Sequence, residues 1–252
     1  MLTPNYQLKR KAKDTLRGHW GNAIITLIVY VVLIILVSLI PLGNIFIGVP
    51  LQIGLIYYFL KLAQEKHTDV GYIFKPFNFY GNALLAWFLK VIIILLASLP
   101  LIIIVIFWAV DYSVNNAVPT TSSIISMTIV ALLASLLVIW VAIRLILVYY
   151  IVSDYPSYAA DKAIGLSFKA MKGKEWKLVG LYLSFIGWWL LTILTLGIAA
   201  LWYVPYLNES LVYFYLDIKE AENLEQKIYA DIHKEEMPPQ PPKPPIESNL
   251  TQ

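Results

Sequence analysis

The chain contains no cysteine, and charged residues make up only 14% of its 252 positions. The first absence excludes disulfides, thiolate metal sites and cysteine nucleophiles. The second excludes an ordinary soluble domain, in which about a quarter of residues are charged. Histidine is also scarce, and His19, His67 and His233 fall in separate segments with no ligand spacing between them. There is no His-Glu-x-x-His, no Gly-x-Ser-x-Gly and no phosphate-cradling glycine loop, so neither a catalytic centre nor a cofactor site is expected. What replaces these is apolar sequence, at 59% of residues. A helix needs about 20 apolar residues to cross a bilayer, so run length decides which segments span.

The most complete unit lies between Trp176 and Tyr215. Leu178 to Leu196 carries no charge, Gly197 gives a turn, and a second run follows with Pro205, Asn208 and Glu209 inside it. Taken along the chain, the runs predict an all-α, polytopic membrane protein of six transmembrane helices. Their approximate bounds are 23–42, 45–60, 83–110, 124–152, 178–196 and 198–216, within a membrane domain of residues 21–216. The run 45–60 is short and interrupted by Gly48, Pro50 and Gly54, which is compatible with a crossing or a re-entrant segment. Residues 1–20 read as a basic amphipathic surface helix, with Leu8, Ala12, Leu16 and Trp20 on one face. A second surface helix follows Pro156, with Ile164, Phe168 and Met171 on its apolar side. Residues 217–236 read as a soluble helical extension with an apolar stripe through Ile218, Ala221, Leu224, Ile228 and Ile232. Residues 237–252 form a proline-rich, disordered tail, read as a solvated end or as a docking motif.

Orientation follows from the lysines and arginines. With six spans, 17 of the 19 fall on one side, and Lys90 and Arg144 lie inside spans near that side. Positive residues stay in the cytoplasm, which places both termini there. A bacterial cytoplasmic membrane is the expected location. The basic segments nominate Lys9, Arg10, Lys11, Lys13, Arg17, Lys169, Lys172 and Lys174 as contacts to anionic lipid headgroups, in preference to nucleic acid.

The spans also resemble one another as three hairpins. Trp20-Gly21-Asn22-Ala23 and Tyr80-Gly81-Asn82-Ala83 begin two of them. Leu55-Ile56-Tyr57-Tyr58-Phe59-Leu60, Leu147-Val148-Tyr149-Tyr150-Ile151-Val152 and Leu211-Val212-Tyr213-Phe214-Tyr215-Leu216 end all three. Either this is a threefold repeat or it is the aromatic belt found at span ends.

Lys90, Arg144 and Glu209 are the charges within spans, each about eight residues, or ~12 Å, from the cytoplasmic end. The two cations are long enough to snorkel. Glu209 is not, and a partner in Arg144 or Lys90 is expected for it. With Asn208, Pro205 and the span-two breakers, these residues make a candidate intramembrane polar site of the kind found in carriers.

Several motifs also resemble a known family. Ala12-Lys13-Asp14-Thr15-Leu16-Arg17-Gly18-His19-Trp20, Ser167-Phe168-Lys169-Ala170-Met171-Lys172-Gly173, Leu183-Ser184-Phe185-Ile186-Gly187-Trp188, Thr195-Leu196-Gly197-Ile198 and Leu201-Trp202-Tyr203-Val204-Pro205-Tyr206 are similar to the Gram-positive integral membrane proteins catalogued as domain of unknown function 975. The resemblance covers residues from about 8 to 216. Ala170 departs from it where the family usually carries methionine or a similar residue, and glycine is usual near Ala199. It implies a multi-span membrane protein and carries over no activity, cofactor or catalytic residue. The reading that follows is a non-enzymatic interaction or envelope-support protein, with an unidentified protein partner. A carrier or export component is the alternative, and a membrane enzyme ranks third.

Overall fold

The structure is a computed structural model that describes residues 2–66, 68–115 and 120–236. His67 and the proline-rich tail therefore lie outside the described residues, as does part of the connection between the third and fourth runs. Every regular element among the described residues is helical. Among the described residues, five helical stretches are long and apolar enough to cross a membrane: Trp20–Ser38, Asn44–Glu65, Val70–Val110, Thr121–Asp154 and Glu175–Leu194. The sixth predicted run is also a helix, but its tyrosines and its polar residues Asn208, Glu209 and Asp217 leave it outside that apolar class.

The helix α1 (Asn5–Leu16) precedes α2 (Trp20–Ser38), separated by a turn in which Gly18 takes a φ of 81°. After a second turn, a π-helical segment Asn44–Gly48 runs directly into α3 (Val49–Glu65). The run read as either crossing or re-entrant is thus one continuous helix, and it continues past Leu60 to Glu65. Pro50 sits where the π-helical turn passes into α3, an irregular stretch in which a missing N–H is accommodated. α3 is the centre of the fold, with Ile53, Tyr58, Phe59, Leu60 and Leu62 fully buried.

Between α3 and the next long helix lies a 3₁₀ helix, Val70–Phe79. Asp69 caps it by accepting from the Gly71 N–H at 2.6 Å. This helix lies against α3 so closely that a Cβ at Gly54 would fall 1.9 Å from the Ile73 carbonyl oxygen. Gly54, read as a helix breaker, serves this close approach inside an unbroken helix.

The next two elements, α4 (Tyr80–Asn115) and α5 (Thr121–Arg144), pack on each other and expose most of their apolar side chains beyond the core. A turn at Leu145–Leu147 leads to α6 (Val148–Asp154), and α7 (Ala160–Ala170) then folds back on α4 and α6. The buried side of α7 is Ala160, Ala163, Leu166, Ser167 and Ala170, and Ala83 and Ala86 of α4 are buried as well. Small side chains let helix axes approach closely. Of the predicted apolar face, Met171 is fully buried, while Ile164 and Phe168 are half-buried against the core.

Next come α8 (Glu175–Leu183) and α9 (Ile186–Leu194), one run bent at Ser184–Phe185. Leu196 and Gly197, with φ of 51° and 95°, make the turn into α10 (Ala200–Ala221). A left-handed turn at Asn223 then redirects the chain into α11 (Leu224–Glu236). Ile218, Leu224 and Ile228 are buried against the bundle, and the Tyr158 hydroxyl donates to Asp231 at 3.0 Å. The predicted soluble extension is therefore docked. So is α1: Leu8, Ala12 and Leu16 are buried and the helix packs on α10, α3 and α8, so its apolar face is covered by protein.

The matching aromatic segments also occupy the core. Tyr58, Tyr150 and Phe214 stand at equivalent places and are buried, as are Phe59, Ile151 and Tyr215 one position later. A belt at a lipid interface would leave such rings partly exposed.

Candidate functional site

Glu209 lies in the middle of α10, four residues after Pro205, and its side chain is 0% exposed. Neither carboxylate oxygen has a hydrogen-bond partner. The expected pairing with Arg144 or Lys90 is not made, because both cations are engaged elsewhere. Arg144 Nη2 meets Glu175 Oε1 at 2.6 Å and Nη1 donates to the Phe168 carbonyl at 3.1 Å. Its guanidinium also lies near the rings of Trp140 and Phe168, at 4.6 and 5.1 Å from their centroids. Lys90 Nζ stands 4.2 Å from the centroid of the Tyr149 ring. Asn208 turns inward on its own helix, its Nδ2 donating to the Val204 carbonyl at 2.9 Å, and Pro205 is buried. The candidate polar site therefore does not assemble as one cluster. Its acidic member stands in an apolar interior without a counter-charge.

A different polar assembly gathers where the helix ends converge. Lys177 of α8 and Asp217 of α10 form an ion pair at 2.5 Å, and the Thr3 amide donates to the same carboxylate at 3.0 Å. Lys219 pairs with Asp154 of α6 at 2.7 Å, and the Tyr215 hydroxyl donates to the same carboxylate oxygen at 2.8 Å. Asn82, at the start of α4, donates to the carbonyls of Pro156 and Tyr158 at 3.0 and 2.8 Å. The N-terminal segment, the starts of α4 and α8 and the ends of α6 and α10 thus share one end of the bundle.

The electrostatics of this layer follow from its pairing. Burial pushes the Asp217 carboxyl up, but the bonds from Lys177 and Thr3 outweigh it and hold the group below its ordinary value. The hydrogen bond from Lys174 holds Glu222 below its ordinary value against the opposing effect of burial. Burial pushes Lys219 down, while its bonds to Asp154 and Tyr155 raise it above the usual lysine value.

Of the residues nominated for lipid headgroups, Lys174 is misplaced. Its side chain is buried at 8% exposure, bonded to Glu222 at 2.7 Å and to the Ala170 carbonyl at 2.7 Å, because the turn at Gly173 aims it into the protein. Lys9 is half-buried and donates to the Ser184 carbonyl at 3.0 Å, above the bend between α8 and α9. Arg10 and Arg17 flank Asp14 at 4.0 and 3.8 Å. Lys11, Lys13, Lys169 and Lys172 are exposed.

Asp154, Glu175, Lys177, Asp217, Lys219 and Glu222 are the residues that sequence reasoning passed over. Their signal was their place in the last or first turn beside an apolar run, where acidic and basic groups from different helices arrive at one level. No curated protein and no solved structure matches the chain. The model of the family described as a protein of unknown function, DUF975, matches residues 1–222 and leaves the proline-rich tail outside; with most of its length covered, the chain belongs to that family.

Proposed function

We propose that this chain is a non-enzymatic, multi-pass protein of a bacterial cytoplasmic membrane, with six spans in three hairpins and both termini in the cytoplasm. It acts by interaction, engaging anionic lipid and a protein partner through its basic face and supporting the envelope. Convergence of the helix ends supports the hairpin arrangement. His19 before α2, Lys66 after α3 and Tyr213 near the end of α10 line one cleft, as expected if each hairpin leaves the membrane on the side where it began. The buried equivalence of Tyr58, Tyr150 and Phe214 supports a threefold repeat over an interfacial belt.

The observation that carries the interaction reading is the complete burial of Glu209, which keeps its carboxylate out of contact with water. A carrier needs its polar group to meet an aqueous path on each side in turn. The same carboxylate favours a second reading through a separate property, its lack of a partner. A charge at the centre of a spanning helix costs about 2.5–3.5 kcal/mol, so a site of this kind suits uptake of a proton or a cation.

Purified wild type and Glu209→Gln, reconstituted in proteoliposomes, distinguish the two. The interaction reading expects equal proton and sodium permeability in both, with membrane abundance kept. Ion flux in the wild type that disappears in the variant, with its fold intact, overturns it in favour of a carrier.

A further inference from the structure

A cleft of about 520 Å³ opens at the junction of α1, the end of α3 and α10. Its walls supply Lys11, Arg17, His19 and Lys66, four basic side chains drawn from two distant stretches of sequence that meet only in the fold. Backbone structure fixes the positions of three of them. Arg17 caps α1 with its amide bonded to the Lys13 carbonyl, and Gly18 then turns the chain. His19 Nδ1 donates to the Thr15 carbonyl at 3.0 Å, which fixes the ring in the wall. Lys66 ends α3 in the left-handed region, with a φ of 54° and its amide bonded to Leu62.

Neutral hydroxyls complete the wall. Thr15 Oγ1 and the Tyr213 hydroxyl are 2.6 Å apart, so one donates to the other and the pair retains a donor hydrogen for a ligand. Asp14 also lines the cleft, but Arg10 and Arg17 stand on either side of it and counter its charge. The set is rich in donors and net positive, the chemistry that selects a phosphate group.

We propose that this cleft is a binding site for the phosphate of an anionic membrane lipid. The lipid source follows from depth. His19 immediately precedes Trp20, the first residue of the apolar helix Trp20–Ser38, so the cleft stands where that helix reaches the headgroups. A phosphate there meets Lys11, Arg17 and Lys66 while its acyl chains continue along the bundle. The assignment rests on the proposed placement of the basic face against anionic lipid, and narrows that general attraction to one site.

Titration of the full chain in neutral detergent micelles with dioctanoyl phosphatidic acid, monitored by native mass spectrometry, tests it. One lipid is expected to bind ahead of any others, with dioctanoyl phosphatidylcholine and inorganic phosphate far weaker. Each basic group near an anionic surface contributes roughly a fivefold gain. The triple variant Lys11→Gln/Arg17→Gln/Lys66→Gln should therefore lose affinity on the order of a hundredfold. The exposed pair Lys169→Gln/Lys172→Gln should leave this first event unchanged, and an unaltered thermal midpoint in the triple variant certifies its fold. Equal loss in both variants overturns the cleft while the general attraction stands. No preference for the anionic lipid in wild type overturns both, and equal competition by inorganic phosphate overturns the lipid assignment.

Discussion

Arg144 and Glu175 meet at 2.6 Å across the junction of α5 and α8, with side chains only 11% and 16% exposed. Glu175 is the first residue of its helix and reaches the cation from the neighbouring element, while Glu209 has no partner. Breaking one side of a buried pair leaves an uncompensated charge and costs about 3–5 kcal/mol. Glu175→Gln should therefore lower the thermal midpoint in detergent markedly, and the exchange Arg144→Glu/Glu175→Arg should recover part of the loss. An unchanged midpoint in Glu175→Gln would remove the pair from the forces holding α5 against α8.

The pairs at the helix ends set a pH dependence with a defined sign. Asp217 and Glu222 titrate below their ordinary values, so their contribution is present above the unfolded carboxylate value and is lost as pH falls through the lower folded one. Lys219 titrates above its ordinary value, so its contribution is present below the unfolded lysine value and is lost as pH rises through the higher folded one. Thermal midpoints should fall toward acid and again toward strong alkali. Asp217→Asn should flatten the acid limb, with the midpoint at neutral pH lowered.

Close contact between α3 and the 3₁₀ helix predicts a sharp contrast between two glycines. Gly54→Ala places a methyl against the Ile73 backbone, where overpacking costs about 1–3 kcal/mol or more. At Gly187 in α9 a methyl would meet open space, with nothing within 4 Å, and Gly187→Ala should be neutral or stabilising by up to about 1 kcal/mol. Equal midpoints for the two variants would mean that the 3₁₀ helix does not hold its place against α3.

Run length and charge were enough to read the apolar helices from sequence, because each is a local property. The packing of α1 and α11 was not local. Leu8, Ala12 and Leu16 form the same stripe whether a helix lies on lipid or on protein, and only α10 decides between them. The same limit applied to Glu209. Its burial and its need of a partner were visible in its apolar surroundings, but not that Glu175 would take Arg144. Gly54 likewise read as a breaker, because the segment that approaches it begins sixteen residues later at Val70.

The absence of cysteine makes the proposed topology directly measurable, since an introduced thiol is the sole target within this sequence for a membrane-impermeant maleimide. Ser122→Cys and Leu196→Cys place thiols at exposed positions expected outside, and both should label in intact cells. Lys172→Cys and Tyr229→Cys place them on exposed positions expected in the cytoplasm, and should label only after the cells are opened. The decisive position is Tyr229. If α10 did not cross, α11 would lie on the same side as Leu196, and Tyr229→Cys would label from outside. With six spans, its protection should match that of Lys172→Cys.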